Sequence, residues 1–254
     1  MNDFDRKKHG QVINEFLNEL NCIEKDNFIL KGGTALLICY GLDRFSEDID
    51  LDGTKRNIKE FVNKFCMKHS YSYRLAKDTD TVKRAFINYG GEKLLKVEVS
   101  YRKRIIPKEQ YTNINGIYVY SIDMLCMMKN NAYMSRDKIR DLYDLCFIGN
   151  RYYNQLSSST KIGLQNALEY KGLEQFDYII QTQTDPLINN NKLAEAFLKL
   201  YDKVGLLYDE KEKEQTLSLK SLHQSDIEYK KVNHKGKFSK IEPKKSSKDR
   251  DRGR

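Results

Sequence analysis

The sequence predicts a mixed α/β N-terminal half followed by an all-helical C-terminal half. Three observations carry this expectation: short strand-like runs crowd into the first 120 positions, helical periodicity takes over from position 121, and a basic tail lies apart from both.

Residues 3–24 place Val12, Ile13, Phe16, Leu17 and Leu20 at helical spacing among polar neighbours, which predicts an amphipathic helix. Phe28-Ile29-Leu30 is a short apolar strand, followed by Lys31-Gly32-Gly33-Thr34 and a helix from Ala35 to Tyr40 that Gly41 stops. Asp48 to Asp52 alternates acid with aliphatic, the pattern of a strand with one wet and one dry face. A helix over about 57–69 leads to strand-like runs at 71–77, 83–89 and 93–101, the last two forming a hairpin through Gly90-Gly91. Beyond a loop holding Pro107, Ile117 to Tyr120 is a further short strand. Ser121 is placed to cap a helix from Ile122 to about Ser135, and a second helix covers about 137–149. From 157 onward only helices are expected, with Asp185-Pro186 between two of them, Gly205 ending the second, and a charged helix over 206–228. The expected domains are 1–150, mixed α/β; 151–228, helical; and 229–254, a basic disordered tail.

Composition narrows the function classes. The longest apolar run, Ala35 to Tyr40, falls far short of the ~20 residues that cross a bilayer, and the N-terminus lacks a signal-peptide core. A cytoplasmic protein with no membrane partner is therefore expected. The five cysteines form no CxxC pair and lie among apolar neighbours, so they read as small buried residues. Four histidines without ligand spacing argue against structural zinc. The net charge of +9 is unevenly placed: residues 229–254 carry eleven bases against three acids, leaving the body almost neutral. Such an arm suits salt-sensitive contact with nucleic-acid phosphates, and equally suits a solubilising tail.

Three pieces carry chemistry. Gly32-Gly33-Thr34 sits between a strand and a helix, where backbone N–H groups and the positive helix end suit a phosphate; the same residues also make an ordinary capped turn. Asp48 and Asp50, two apart on a strand, face one side together. Carboxylates ~4 Å apart repel by roughly 4 kcal/mol at a surface-like dielectric, so the pair favours a hard cation such as magnesium. Lys96-Val97-Glu98-Val99 repeats the alternation on a later strand; if the two strands are neighbours, Glu98 becomes a third carboxylate, the set that two-metal phosphoryl transfer requires.

Lys31-Gly32-Gly33-Thr34-Ala35-Leu36, followed by Gly41-Leu42-Asp43-Arg44-Phe45-Ser46-Glu47-Asp48-Ile49-Asp50-Leu51, resembles the first motif of the AbiEii/AbiGii-type nucleotidyltransferase toxins of the polymerase-β-like superfamily. The resemblance continues through Lys129-Asn130-Asn131-Ala132-Tyr133, Arg136 and Arg140-Asp141-Leu142-Tyr143-Asp144-Leu145, so that it covers about residues 28–148. It implies a polymerase-β-like mixed sheet with flanking helices, a phosphate-binding lysine at Lys129 and an essential aspartate at Asp141. Many relatives carry Asp where this chain has Glu98.

The implied activity is magnesium-dependent transfer of a nucleoside monophosphate from an NTP to an RNA acceptor, using two ions held by Asp48, Asp50 and Glu98. Gly32, Gly33, Thr34, Arg44, Ser46, Lys129 and Arg136 would hold the nucleotide. Arg44 and Ser46 could equally hold their loop together, Lys129 and Arg136 could form a solvated basic face, and Asp141 could simply pair with Arg140, Lys138 or Arg136 at the surface. The implied biology is the toxin of a toxin–antitoxin or phage-defence pair, with a cognate antitoxin as partner. Two alternatives stay open: a small-molecule nucleotidyltransferase, and a non-catalytic nucleotide- or RNA-binding module.

Overall fold

In the computed structural model, residues 2–207 are described. The predicted tail, and all but the first two residues of the predicted 206–228 helix, lie outside them. The amphipathic helix α1 (Asp3–Glu24) is followed by β1 (Phe28–Lys31), α2 (Gly32–Tyr40), β2 (Asp48–Gly53) and α3 (Ile58–His69). Strands β3 (Ser72–Asp78), β4 (Val82–Asn88), β5 (Leu95–Ser100), β6 (Tyr111–Ile114) and β7 (Ile117–Tyr120) come next. Helices α4 (Ile122–Ser135), α5 (Ile139–Tyr152), α6 (Ser158–Thr182) and α7 (Asn190–Lys203) complete the order.

The seven strands make one mixed sheet in the order β3-β4-β5-β2-β1-β7-β6. Antiparallel β1 and β2 occupy its middle, and β5 runs parallel to β2. That pairing sets Asp48 opposite Lys96 and Asp50 opposite Glu98, so the strands predicted to carry acids are neighbours. The dry residues of these strands, Ile49, Leu51, Val97 and Val99, are buried. Helix α1 buries the five apolar residues that predicted it, and its Phe16 meets Phe61 and Phe65 of α3 edge-on at 5.2 and 5.1 Å.

Two local readings need correction. Helix α2 starts at Gly32 rather than Ala35, because Gly32-Gly33-Thr34 forms its first turn and apolar periodicity gives no signal over glycines. Strand β6 has no counterpart among the expected strands; Asn115 and Gly116, both at positive φ, turn it back onto β7, the chemistry of a tight hairpin. One side chain also differs from expectation: Cys22 is exposed.

Ser121 caps α4 as predicted, its hydroxyl accepting from the Met124 N–H. Helix α5 runs across position 150, where the expected domain boundary falls. Helices α6 and α7 pack on α4 and α5 within a compact unit that ends at Val204. Helix α6 breaks at Gly172, whose φ of +65° leaves the helical region, and its second half stacks Phe176 on Phe197 of α7 at 4.1 Å. Among the described residues no helix is long and apolar enough to cross a membrane.

Candidate active site

A cleft of about 630 Å³ lies where the N-terminus of α2, the acidic strands β2 and β5, and the start of α5 meet. Gly33, Arg44, Ser46, Asp48, Asp50, Glu98, Lys129, Arg136 and Asp141 all line it. Residues from three stretches of sequence thus converge on one cavity. Gly32 and Thr34 flank it in the first turn of α2.

Both glycines are required by contact. Gly32 has a φ of +78°, and a side-chain carbon there would lie 3.0 Å from Asp50 Oδ2. At Gly33 the same carbon would meet Ser46 Oγ at 2.8 Å and Arg44 Nη2 at 3.1 Å. Lys31 precedes the helix without a side-chain cap, so the first N–H groups of α2 lack that partner beside the cleft. The Thr34 hydroxyl is buried and bonded to the Asp48 carbonyl and to Ser46 Oγ. It ties α2 to β2 and leaves only the Thr34 backbone for a ligand.

On the strand wall, Asp48 is held by Lys96, and Glu98 accepts from Arg84 Nε at 2.6 Å. Asp50 lies between them. Burial raises its pKa above the ordinary carboxylate value; Asp48 and Glu98 add to the rise, while Lys96 and Lys31 oppose it. Asp52, the third acid facing this side of β2, is buried against Lys31 and accepts from Tyr120 Oη at 2.7 Å. The alternation of β2 therefore yields two acids for the cleft and one for the interior.

No three His, Cys, Asp or Glu side chains among the described residues converge as a ready metal cluster, because Asp48 and Glu98 turn toward their basic partners. The donor set still fits a hard divalent ion. It consists of carboxylate oxygens on adjacent rungs of one sheet face, with Asp50 unfavourably placed among like charges.

The helix wall is a chain of alternating charges. Asp144, fully buried, accepts from Arg44 Nε and Nη2, each at 2.7 Å, and pairs with Lys129 Nζ at 2.6 Å. Lys129 reaches Asp141 at 3.2 Å, and Asp141 accepts from Arg136 Nε at 2.7 Å. Burial alone would raise the Asp141 carboxyl, but the Arg136 hydrogen bond and the Lys129 charge outweigh it and hold it below its ordinary value. Asp141 does meet Arg136, one of the partners that the surface reading gives it, but the carboxylate is buried rather than at the surface. Arg44 is buried by its bidentate pairing and also donates to the Phe45 carbonyl at 3.2 Å, which holds its loop. His9 of α1 steadies the same loop: it donates from Nε2 to the Glu47 carbonyl at 2.7 Å, and its Nδ1 is hydrogen-bonded with Tyr89 Oη at 2.6 Å.

Sequence reasoning missed Lys96 and Arg84, although Lys96 stands two residues before Glu98 and alternation alone puts it on the same face. It also missed Gln183 and Asp185, for which no local signal exists. Gln183 bonds the Ile139 N–H and the Asp137 carbonyl, and Asp185 pairs with Arg140, closing the outer rim of the cleft.

A family model for the AbiEii nucleotidyl transferase toxin of type IV toxin–antitoxin systems matches residues 15–228. The chain belongs to this family. It is a nucleotidyltransferase. Among solved structures, JHP933 from Helicobacter pylori is similar at 27% identity and a TM-score of 0.67, covering 86% of this chain and 97% of its own. A putative nucleotidyltransferase from H. pylori matches at 26% identity and a TM-score of 0.67, covering 84% and 98%. MenT4, a nucleotidyltransferase toxin from Mycobacterium tuberculosis, is more distant, with 16% identity, a TM-score of 0.49, and coverage of 81% and 85%. No curated protein matches the chain.

Proposed function

We propose that this AbiEii-family member transfers a nucleoside monophosphate from an NTP to a hydroxyl of an RNA acceptor, with magnesium, in the cytoplasm. The observation that carries this reading is the pairing of an acid-rich strand wall with a base-rich helix wall around an uncapped helix N-terminus. Phosphate oxygens suit the N–H groups of Gly33 and Thr34. Lys129 and Arg136 lie where they would offset the charge that moves toward the pyrophosphate. Arg44 and Asp144 act behind them, fixing the loop and the lysine; Asp141 orients Lys129 and Arg136.

Asp48, Asp50 and Glu98 would hold the divalent ions. When bound there, such ions supply neutralisation of the triphosphate and activation of the acceptor hydroxyl. Lys96 and Arg84 would then be released from Asp48 and Glu98 toward phosphate. Catalysis in such a site is positioning and electrostatics.

Residues 1–150 would carry the chemistry, and 151–228 would add the outer rim through Gln183 and Asp185. The type IV assignment implies a separately encoded antitoxin as partner. Incubating the full-length protein with each labelled NTP, magnesium and total RNA, then sizing the products, tests the reading. Label should enter RNA from one or more NTPs. Label confined to small molecules would replace the RNA acceptor with a small one.

A further inference from the structure

The face of the sheet that carries the acids continues past them to the open edge of the molecule. One rung runs Asp48, Lys96, Phe86 and Arg74 across β2, β5, β4 and β3. The next runs Asp50, Glu98, Arg84 and Lys77 across the same strands. On the other face, Leu75, Ala85, Val97 and Val99 lie against Ile58 and Val62 of α3. On the acid face these outer residues are exposed or half-buried. The sheet beyond β5 is thus covered on one side and open on the other.

Its composition changes along the rungs. Acids stand at β2, acid and base meet at β5, and only bases with one aromatic ring remain at β4 and β3. Arg74 Cζ lies 4.5 Å from the Phe86 ring centroid. The bulge between Leu75 and Lys77 is what brings Lys77 to this face. With regular pairing Ala76 would stand opposite Arg84, and Lys77 would turn to the α3 side. Lysine on an edge strand also deters edge pairing. That purpose accounts for neither an arginine stacked on a half-buried phenylalanine in the second strand nor the continuity with the cleft. At about 4.8 Å per strand, Arg74 stands roughly 14 Å from the acids, within reach of a short single-stranded end whose terminus lies in the cleft.

We propose that this open β3–β4 face is the platform for the acceptor, a single-stranded RNA end, with a base stacked at Phe86 and Arg74 and phosphates met by Lys77 and Arg84. Aromatic rings beside bases are the chemistry that sequence-tolerant single-strand binding uses. The proposal rests on the RNA-acceptor reading and adds where that acceptor lies.

Anisotropy of a labelled single-stranded RNA oligonucleotide, titrated with the full-length protein over a range of salt, tests it. Phe86→Ala should weaken binding about 5- to 100-fold, and Phe86→Tyr should restore it. Because Phe86→Ala removes half-buried packing, the exposed positions give a second arm. Lys77→Ala should lower the salt slope by about 0.7 and Arg74→Ala should weaken binding, whereas Lys64→Ala, on the exposed side of α3, should do neither. A blunt RNA duplex should bind more weakly than the single strand. Wild-type affinity and slope in Phe86→Ala, Arg74→Ala and Lys77→Ala would overturn the platform, as would equal duplex binding or no single-strand binding by the wild type. Failure of the activity reading looks different: the wild type would then label no RNA at all. If the wild type labels RNA and the three variants keep its KM for RNA, the platform alone falls.

Discussion

On the strand wall of the cleft, Asp48, Asp50 and Glu98 face two local cations, Lys96 and Arg84. On the helix wall, Arg44, Lys129 and Arg136 face two anions, Asp141 and Asp144. Among these residues the strand wall has one acid in excess and the helix wall one base, and Lys138 just before α5 adds a further positive charge to the cleft. The strand wall is half-exposed, so its pairs can be exchanged for an arriving cation at small cost. The helix wall keeps its acids at 0–2% exposure, where an unpaired charge is expensive. One wall is arranged to be rearranged by a ligand, and the other to stay fixed while its excess positive charge meets an anion.

The largest expected effect breaks the strand wall. Asp48→Ala or Asp50→Ala should reduce transfer beyond the ~10²–10³-fold of a single lost electrostatic group. Melting temperature should hold or rise, because like-charge repulsion is relieved. Full activity in both variants would remove the metal-site assignment.

Next comes the centre of the helix wall. Asp144→Asn takes the carboxylate from the buried Arg44 and leaves Lys129 with Asp141 alone, and should cost about 3–5 kcal/mol. In a chain this size that lowers the melting temperature by roughly 10 °C. Asp141→Asn should cost less, because Lys129 keeps Asp144 and Arg136 stays in water. Equal melting temperatures for the two variants would contradict the placing of Asp144 at the centre of the helix wall.

Lys129→Ala should reduce transfer about 10²–10³-fold, with a smaller stability loss than Asp144→Asn, since each acid retains an arginine. Lys129→Arg should rescue poorly, because a planar fork does not replace an ammonium shared between two carboxylates. Turnover at the wild-type level in Lys129→Ala would assign this lysine to the scaffold.

The smallest effect is on acid stability, measured without metal. Asp141 is held below its ordinary value, so its contribution is present above about pH 4 and is lost as pH falls through the folded value. Asp50 is raised, so the folded chain takes up its proton first and gains stability as pH falls through that raised value toward about 4. Asp141→Asn should therefore shrink the acid loss, and Asp50→Asn should remove the gain. Urea midpoints from neutral pH to about pH 3 would show the two opposite changes; parallel curves would contradict the contrast.

The local code carried much of this protein. Period-2 alternation placed Asp48 and Asp50 on one face, and helical periodicity marked α1, α3 and α4, because both depend on neighbours a few residues apart. The glycines at 32 and 33 marked the turn that opens α2, but that Asp50 and Ser46 crowd against them is decided by the fold. What only the tertiary structure decided was pairing across distance. The β2–β5 register brought Glu98 beside Asp50, 48 positions away, and gave Asp48 its lysine. Asp144 received Arg44 from 100 positions upstream, and the rim received Gln183 from just past the end of α6, a helix with no motif. Asp52 has the same alternation as Asp48 and Asp50, yet Lys31 and Tyr120 withdraw it from the cleft. A sequence specifies the charge a residue carries and the face it takes locally; which opposite charge it meets depends on chain closure, and so on the fold.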